Sequence, residues 1–183
     1  PVLDYETGSY PRLMTSHGDV RAKVIVLAGE AYLSQLSKQS RSVVPVYYLI
    51  TLTEPLSEQH WAEIGWQKRW CIGSSRHTVD YLSKTADGRI AVGGRGAPYH
   101  FGSGIRDEYD RHAPTHQALQ EMAREWFPVL ENVQFTHSWG GVFGMPRDHM
   151  PQMTFDPKTG IAMGYGYSGE GVATSNLTGR VLA

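Results

Sequence analysis

The stretch richest in chemistry is Gly164-Tyr165-Gly166-Tyr167-Ser168-Gly169-Glu170-Gly171-Val172-Ala173-Thr174-Ser175-Asn176-Leu177. A glycine-rich turn runs straight into an apolar, helix-compatible segment. Gly166, Gly169 and Gly171 lack the side chains that would keep a ligand away from the backbone. A helix opening there presents unpaired N–H groups and a partial positive charge, which together make an anion-binding end. The other reactive side chains are scattered. Cys71, the only cysteine, lies in the strand-like Arg69-Trp70-Cys71-Ile72 and reads as a small buried hydrophobe rather than a nucleophile. Alone it can close no internal disulfide, which fits a reducing, cytoplasmic setting. His112 and His116 stand four apart, but Pro114 between them suits the first turn of a helix, so they do not share its face. No cluster among the eight histidines has the spacing of a metal site. Arg95 and Arg106 could hold an anion or simply be solvated.

Composition narrows the classes. The 183 residues carry 17 basic and 18 acidic side chains, a net charge of −1. No basic stripe is available for a nucleic-acid backbone. The aromatic residues Tyr47, Tyr48, Trp61, Trp66 and Trp70 therefore read as core and interface rather than as a base-stacking platform. No apolar run approaches the roughly 20 residues that cross a bilayer, and no membrane partner is expected. The chain opens at Pro1 and stops at Arg180-Val181-Leu182-Ala183, inside an apolar periodic segment. Both ends therefore suggest a fragment of a longer protein.

The elements that would position the glycine turn follow from periodicity. Residues 1–21 read as short strands joined by turns at Thr7-Gly8-Ser9 and His17-Gly18-Asp19. Val24 to Ala28 is continuously apolar, the pattern of a strand buried on both faces. It stops at Gly29 before a short helix at Glu30-Ala31-Tyr32-Leu33, placing a loop at the carboxyl edge of a sheet, where ligands of open α/β sheets bind. Val43 to Thr53 is a strand that Pro45 makes an edge or entry. Ser57 caps a short helix that Gly65 ends.

Trp70–Ser74 and His77–Thr85 read as strands, and a two-residue Asp87-Gly88 turn leads into the strand Arg89–Gly94. Gly93 to Gly104 is a loop whose Pro98, Tyr99, His100 and Phe101 suggest a cover. A helix from Pro114 to Phe127 would bury Ala118, Leu119, Met122 and Trp126. Val133–Trp139 is a strand broken at Gly140-Gly141. Gln152–Phe155 and Ile161–Met163 are short strands, and a closing helix starts near Glu170. The fold class is α+β: an antiparallel sheet with flanking helices, plus part of an α/β layer. The divisions fall at 1–41, 42–138 and 139–183.

Several of these stretches resemble one family in the right order. Val24-Ile25-Val26-Leu27-Ala28-Gly29 resembles the strand closing the flavin-binding domain of FAD-dependent amine and amino-acid oxidoreductases. Tyr47–Leu56 resembles the strand opening their substrate domain. Asp80-Tyr81-Leu82 and Asp87–Arg95 look like that domain's hairpin. Trp139-Gly140-Gly141 and Gly164–Val172 look like the motifs returning the chain to the flavin. The resemblance is to the D-amino-acid-oxidase-like superfamily, of the glycine/sarcosine oxidase and glutamylputrescine oxidoreductase type.

Such proteins carry a G-x-G-x-x-G turn near the N-terminus for the FAD pyrophosphate. No such turn opens a βαβ unit here, and Gly93-Gly94-Arg95-Gly96 is no substitute. The resemblance is therefore to the C-terminal part. It implies FAD contacts at Ala28, Gly29, Gly140, Gly141, Gly166, Tyr167, Ser168, Gly169, Glu170, Gly171 and Val172. It also implies substrate contacts at Tyr81, Arg95, Trp139 and Phe143, and a small amine or amino acid as substrate.

No protein nucleophile is required, because the cofactor takes the hydride. Glu170 is awkward beside a reduced flavin, and we read it as a cap of the helix. Relatives often carry an arginine after the Trp-Gly motif, where Val142-Phe143 stand here, which points toward an amine or a larger conjugate. The competing reading is a truncated, flavin-free module that self-associates as a homo-oligomer through exposed apolar faces.

Overall fold

A computed structural model describes residues 1–77 and 79–183. The chain forms two compact units: residues 1–46, 99–105 and 142–183, and residues 47–98 and 106–141.

The first unit holds two three-stranded sheets. One is the antiparallel meander β1 (Val2–Glu6), β2 (Arg12–Thr15) and β3 (Gly18–Arg21). Arg12 on the central strand bridges both neighbours, reaching Glu6 at 2.6 Å and Asp19 at 2.9 Å. The other sheet contains β4 (Ile25–Leu27) and, from the end of the chain, β10 (Gln152–Asp156) and β11 (Ile161–Tyr165). Its order is β10-β11-β4, with β11 antiparallel to β10 and parallel to β4. Tyr5, Ile25, Leu27, Leu33, Leu36 and Ile161 form the core.

The run at 24–28 is not doubly buried. Ile25 and Leu27 point inward, but Val24 and Val26 are 42% and 55% exposed. β4 is an edge strand, and among the described residues its second face has no cover.

The second unit is a five-stranded sheet of order β6-β7-β8-β5-β9. It comprises β5 (Val44–Thr53), β6 (Cys71–Gly73), β7 (Tyr81–Lys84), β8 (Ile90–Gly94) and β9 (Phe135–Met145). The neighbours from β6 to β5 are antiparallel. Strand alternation sorts the residues of β5: Leu49, Thr51 and Thr53 are buried, while Tyr48, Ile50 and Leu52 lie on the more open face. Helix α1 (Glu58–Ile64) follows local rules. The Ser57 hydroxyl accepts from His60 N–H, and Gly65 ends the helix at φ 71°. Helix α2 (Ala113–Trp126) carries proline in its first turn and buries Thr115, His116, Leu119, Met122 and Ala123. Leu119 and Met122 thus point inward as the periodicity predicts, whereas Ala118 is exposed and Trp126 half-buried.

Four further expectations are corrected. β9 runs unbroken through Gly140-Gly141, because an extended glycine pair that fits its neighbours continues a strand. The β7–β8 connection has three residues beyond the Thr85–Arg89 pair, with Gly88 at φ 76°. This is the turn-plus-left-handed-residue arrangement rather than a two-residue turn. Cys71 is exposed, because the short strand β6 lies at the sheet edge. Phe101, read as part of a cover, is fully exposed. The strand read from His77 includes Thr78, which lies outside the described residues. β7 itself begins at Tyr81.

The fold is α+β, with antiparallel sheets and few helices. Among the described residues no helix is long and apolar enough to cross a membrane.

Candidate functional site

The glycine turn lies at the carboxyl end of the parallel pair β4–β11, and α3 (Gly171–Leu182) follows it. The register Met163↔Leu27 brings Ala28 and Gly29 to the same end of the sheet as Gly164–Gly166. Each glycine has its own reason. A Cβ on Gly164 would lie 2.4 Å from Thr178 Cγ2, so this glycine lets α3 close onto the strand. Gly166 has φ 76° and its missing Cβ would sit 2.9 Å from Pro146 Cγ. Gly169 has φ 102° with no heavy atom within 4 Å of the Cβ position. Ser168 is also left-handed at φ 54°, and the turn closes by Glu170 N–H donating to Tyr167 O at 2.8 Å. The space needed for close approach therefore lies at Gly169 rather than at Gly166.

The opening of α3 has no side-chain cap. Its first N–H groups have no acceptor within the helix, so they carry the positive end of the helix dipole. Glu170 occupies the N-cap position but its side chain caps nothing. Its φ of −94° and ψ of 30° depart from the extended backbone that lets a cap side chain fold back. Val172 in the first turn is 97% exposed.

A feature absent from the sequence reading stands beneath the turn. Glu30, the first residue of a 3₁₀ helix Glu30–Gln35, has a left-handed backbone at φ 48°. Its carboxylate accepts N–H bonds from Gly166 at 2.9 Å and Tyr167 at 3.0 Å, and a third from Gly144. A left-handed non-glycine residue costs on the order of 1–2 kcal/mol. Hydrogen bonds to a charged acceptor contribute about 1.5–3 kcal/mol each, so this network outweighs the strain.

Gly164–Gly169 also spells G-x-G-x-x-G, here between the strand β11 and the helix α3. In a dinucleotide fingerprint the second glycine admits a pyrophosphate. Here that position, Gly166, faces the Pro146 ring and donates its N–H to Glu30.

Ala28, Gly29 and Tyr32 also line an apolar cavity of about 390 Å³ within the first unit, with Val26, Leu33 and Leu36. Phe143, also in this unit, precedes Gly144 on β9 and is half-buried.

In the second unit two of the expected substrate residues, Tyr81 and Arg95, meet Tyr48. Tyr48 stacks with Tyr81 at 6.3 Å between ring centroids, and the Arg95 guanidinium lies 5.7 Å from the Tyr48 ring. Gly93 makes room: a Cβ there would come within 2.3 Å of Tyr81 Cζ. Arg95 Nε is buried with no acceptor among the described residues. Gly140 lies against Leu49 and the Tyr48 carbonyl, whereas the Cβ position of Gly141 is open. Trp139 is 41% exposed. Arg106 pairs with Glu108 in solvent at 3.2 Å. His112 Nδ1 meets Thr115 Oγ1 and His116 Nε2 meets the Asp110 carbonyl. No group of three metal-ligating side chains forms among the described residues.

Burial pushes the Tyr81 phenol up, and the neighbouring Tyr48 and Cys71 add to it. A raised phenol contributes stability that is present below its unfolded value and lost as pH rises through the folded one. We expect the alkaline phenolate absorbance of Tyr81→Phe to lack a tyrosine that titrates above the usual phenol value. Loss of an ordinary one instead would contradict this environment.

An uncapped helix start thus follows a left-handed glycine turn at the carboxyl edge of parallel strands. Residues 1–183 match the DAO family model, FAD dependent oxidoreductase, and the chain belongs to that family. It is 34% identical over 175 residues to the gamma-glutamylputrescine oxidoreductase of Escherichia coli (strain K12), covering 92% of this chain and 38% of that protein. It is 30% identical over 190 residues to the probable oxidoreductase OrdL of Haemophilus influenzae, covering 100% and 40%. Glycine oxidase from Geobacillus kaustophilus superposes with a TM-score of 0.80 at 21% identity, over 100% of this chain and 46% of that one. Iminodiacetate oxidase from Chelativorans sp. BNC1 does so at 0.75 and 18%, over 98% and 47%. The chain thus spans about two fifths of the length of these curated relatives.

Proposed function

We propose that the chain forms the part of an FAD-dependent oxidoreductase that holds the pyrimidine edge of the isoalloxazine ring and one wall of a substrate pocket. The reaction is oxidation of the C–N bond of a small amine or amino acid. The observation that carries this reading is the uncapped start of α3 behind the open, left-handed Gly169. The N–H groups of Ser168, Gly169, Gly171 and Val172 would face the N1 and C2-carbonyl edge, with Ala28 and Gly29 as further contacts from the same unit.

The flavin, when bound, accepts the hydride and its electron pair. The residues present fit that group, because N–H donors without side-chain competition suit an edge that becomes negative on reduction. Within the second unit Tyr81, Tyr48 and Arg95 would form an aromatic wall with one cation, with Trp139 as a further substrate contact. A cationic head over an aromatic face suits a substrate carrying a carboxylate at some distance from its amine. A cytoplasmic location belongs to the same reading.

The test is a titration of the chain with FAD, followed by flavin fluorescence and by the spectrum of the bound ring. Saturable quenching is expected. Gly169→Val, which places a β-branched side chain at φ 102°, should weaken it at least about tenfold. A colourless chain that shows no saturable quenching and associates with itself would overturn the reading in favour of the flavin-free module.

A further inference from the structure

We propose that Glu30 is the positioning residue of the cofactor turn: its carboxylate is a built-in anion that gathers three chain segments and sets the shape of Tyr167–Val172. The inference deepens the flavin reading and rests on it. One carboxylate oxygen, Oε1, accepts the successive N–H groups of Gly166 and Tyr167, at 2.9 Å and 3.0 Å. Consecutive backbone N–H groups aimed at one point make an anion-binding concavity, and here the chain supplies the anion itself. The second oxygen, Oε2, accepts from Gly144 at the end of β9.

Glu30 therefore links the exit of β4, the end of β9 and the exit of β11. Its left-handed backbone at φ 48° is a local cost accepted where the surroundings over-determine it, the usual mark of a functional constraint. Two consequences follow. The N–H groups of Gly166 and Tyr167 are committed to Glu30 and that of Glu170 to the Tyr167 carbonyl, so the donors left for a ligand are those of Ser168, Gly169 and the first residues of α3. Glu30 also places a fixed negative charge behind the turn, opposing the positive end of α3. The protein thus tempers the field that the helix start alone would impose on a reduced flavin.

The test starts on the chain without flavin, by amide hydrogen exchange. Glu30→Ala should speed exchange at Gly144, Gly166 and Tyr167 together, by about tenfold or more. Glu30→Gln should split them. Its single oxygen keeps the two donors at Gly166 and Tyr167, while its NH₂ group faces the N–H of Gly144, so only Gly144 should lose protection. Unchanged exchange in Glu30→Ala overturns the proposal, as does a uniform change across the whole unit in both variants. If Glu30→Ala fails to fold, the split in Glu30→Gln decides.

FAD titration is the second arm. Glu30→Ala should bind about tenfold more weakly than the parent chain, and Glu30→Gln should restore most of the affinity. Equal affinity in the parent and Glu30→Ala overturns the positioning role. Failure of the parent chain to bind FAD overturns the flavin reading alone, and the exchange pattern still decides on Glu30.

Discussion

Leu49→Ala and Gly140→Ala are each expected to destabilise the second unit, and the double variant by clearly less than their sum. Leu49 is fully buried on β5. Removing its side chain leaves a cavity in a packed core, which costs about 2–5 kcal/mol. Gly140 fails in the opposite way. A Cβ there would lie 2.3 Å from Leu49 Cδ2, 3.0 Å from the Tyr48 carbonyl and 3.2 Å from Asp110 Cα. Overpacking of this kind costs about 1–3 kcal/mol.

Truncating Leu49 removes the tightest of these contacts and leaves a void for the new methyl, so the two changes compensate. The backbone contacts remain, so the rescue is partial. A coupling of about 1 kcal/mol or more is expected from urea midpoints at constant slope. Strict additivity would show that Gly140 is not placed by Leu49.

Asp80→Ala should be the most damaging polar substitution, and Asp80→Asn should be mild by comparison. Asp80 is 3% exposed. One carboxylate oxygen accepts from both the N–H and the hydroxyl of Ser74, while the other has no partner among the described residues. Alanine leaves the donors of Ser74 without their acceptor, a loss of about 1–3 kcal/mol. Asparagine keeps the accepting oxygen and replaces the orphaned one with an uncharged donor, reducing the penalty for burying a charge. Equal destabilisation by both variants would mean that the charge, rather than the acceptor to Ser74, is what the fold uses.

Features decided by neighbours in sequence were legible. Ser57 and Gly65 bound α1 because capping is a matter of adjacent residues, and Leu119 and Met122 show their burial by helical spacing. The order of motifs carried the family. What stayed hidden depends on partners far along the chain. Gly140-Gly141 looked like a break because glycine weakens strands in general. Only the approach of Leu49 shows that the first of the pair is a packing requirement. Tyr47-Tyr48 looked like one aromatic block, yet strand alternation sends Tyr47 into the core and Tyr48 to Tyr81 and Arg95. Val24 and Val26 matched a doubly buried strand because hydropathy reports what a face favours, not whether a partner is there. Glu30 was the largest omission. It read as the first residue of a short helix, and nothing local announces that its acceptor atoms serve Gly144, Gly166 and Tyr167.

The pairing of β4 with β11 bears on how the protein comes into being. Ile25–Leu27 emerge well before their partner Ile161–Met163, with the entire second unit between them. Closing a loop that long is slow, and contacts of high sequence separation dominate the delay. The second unit draws on only two chain segments and has its hairpins close at hand, so it can order first. Until the last strand arrives, the β-rich apolar run at 24–28 waits unpaired, the condition under which nascent chains seek wrong neighbours. β4 thus waits on β11, and a chain stopped short of β11 would lack the partner that strand requires.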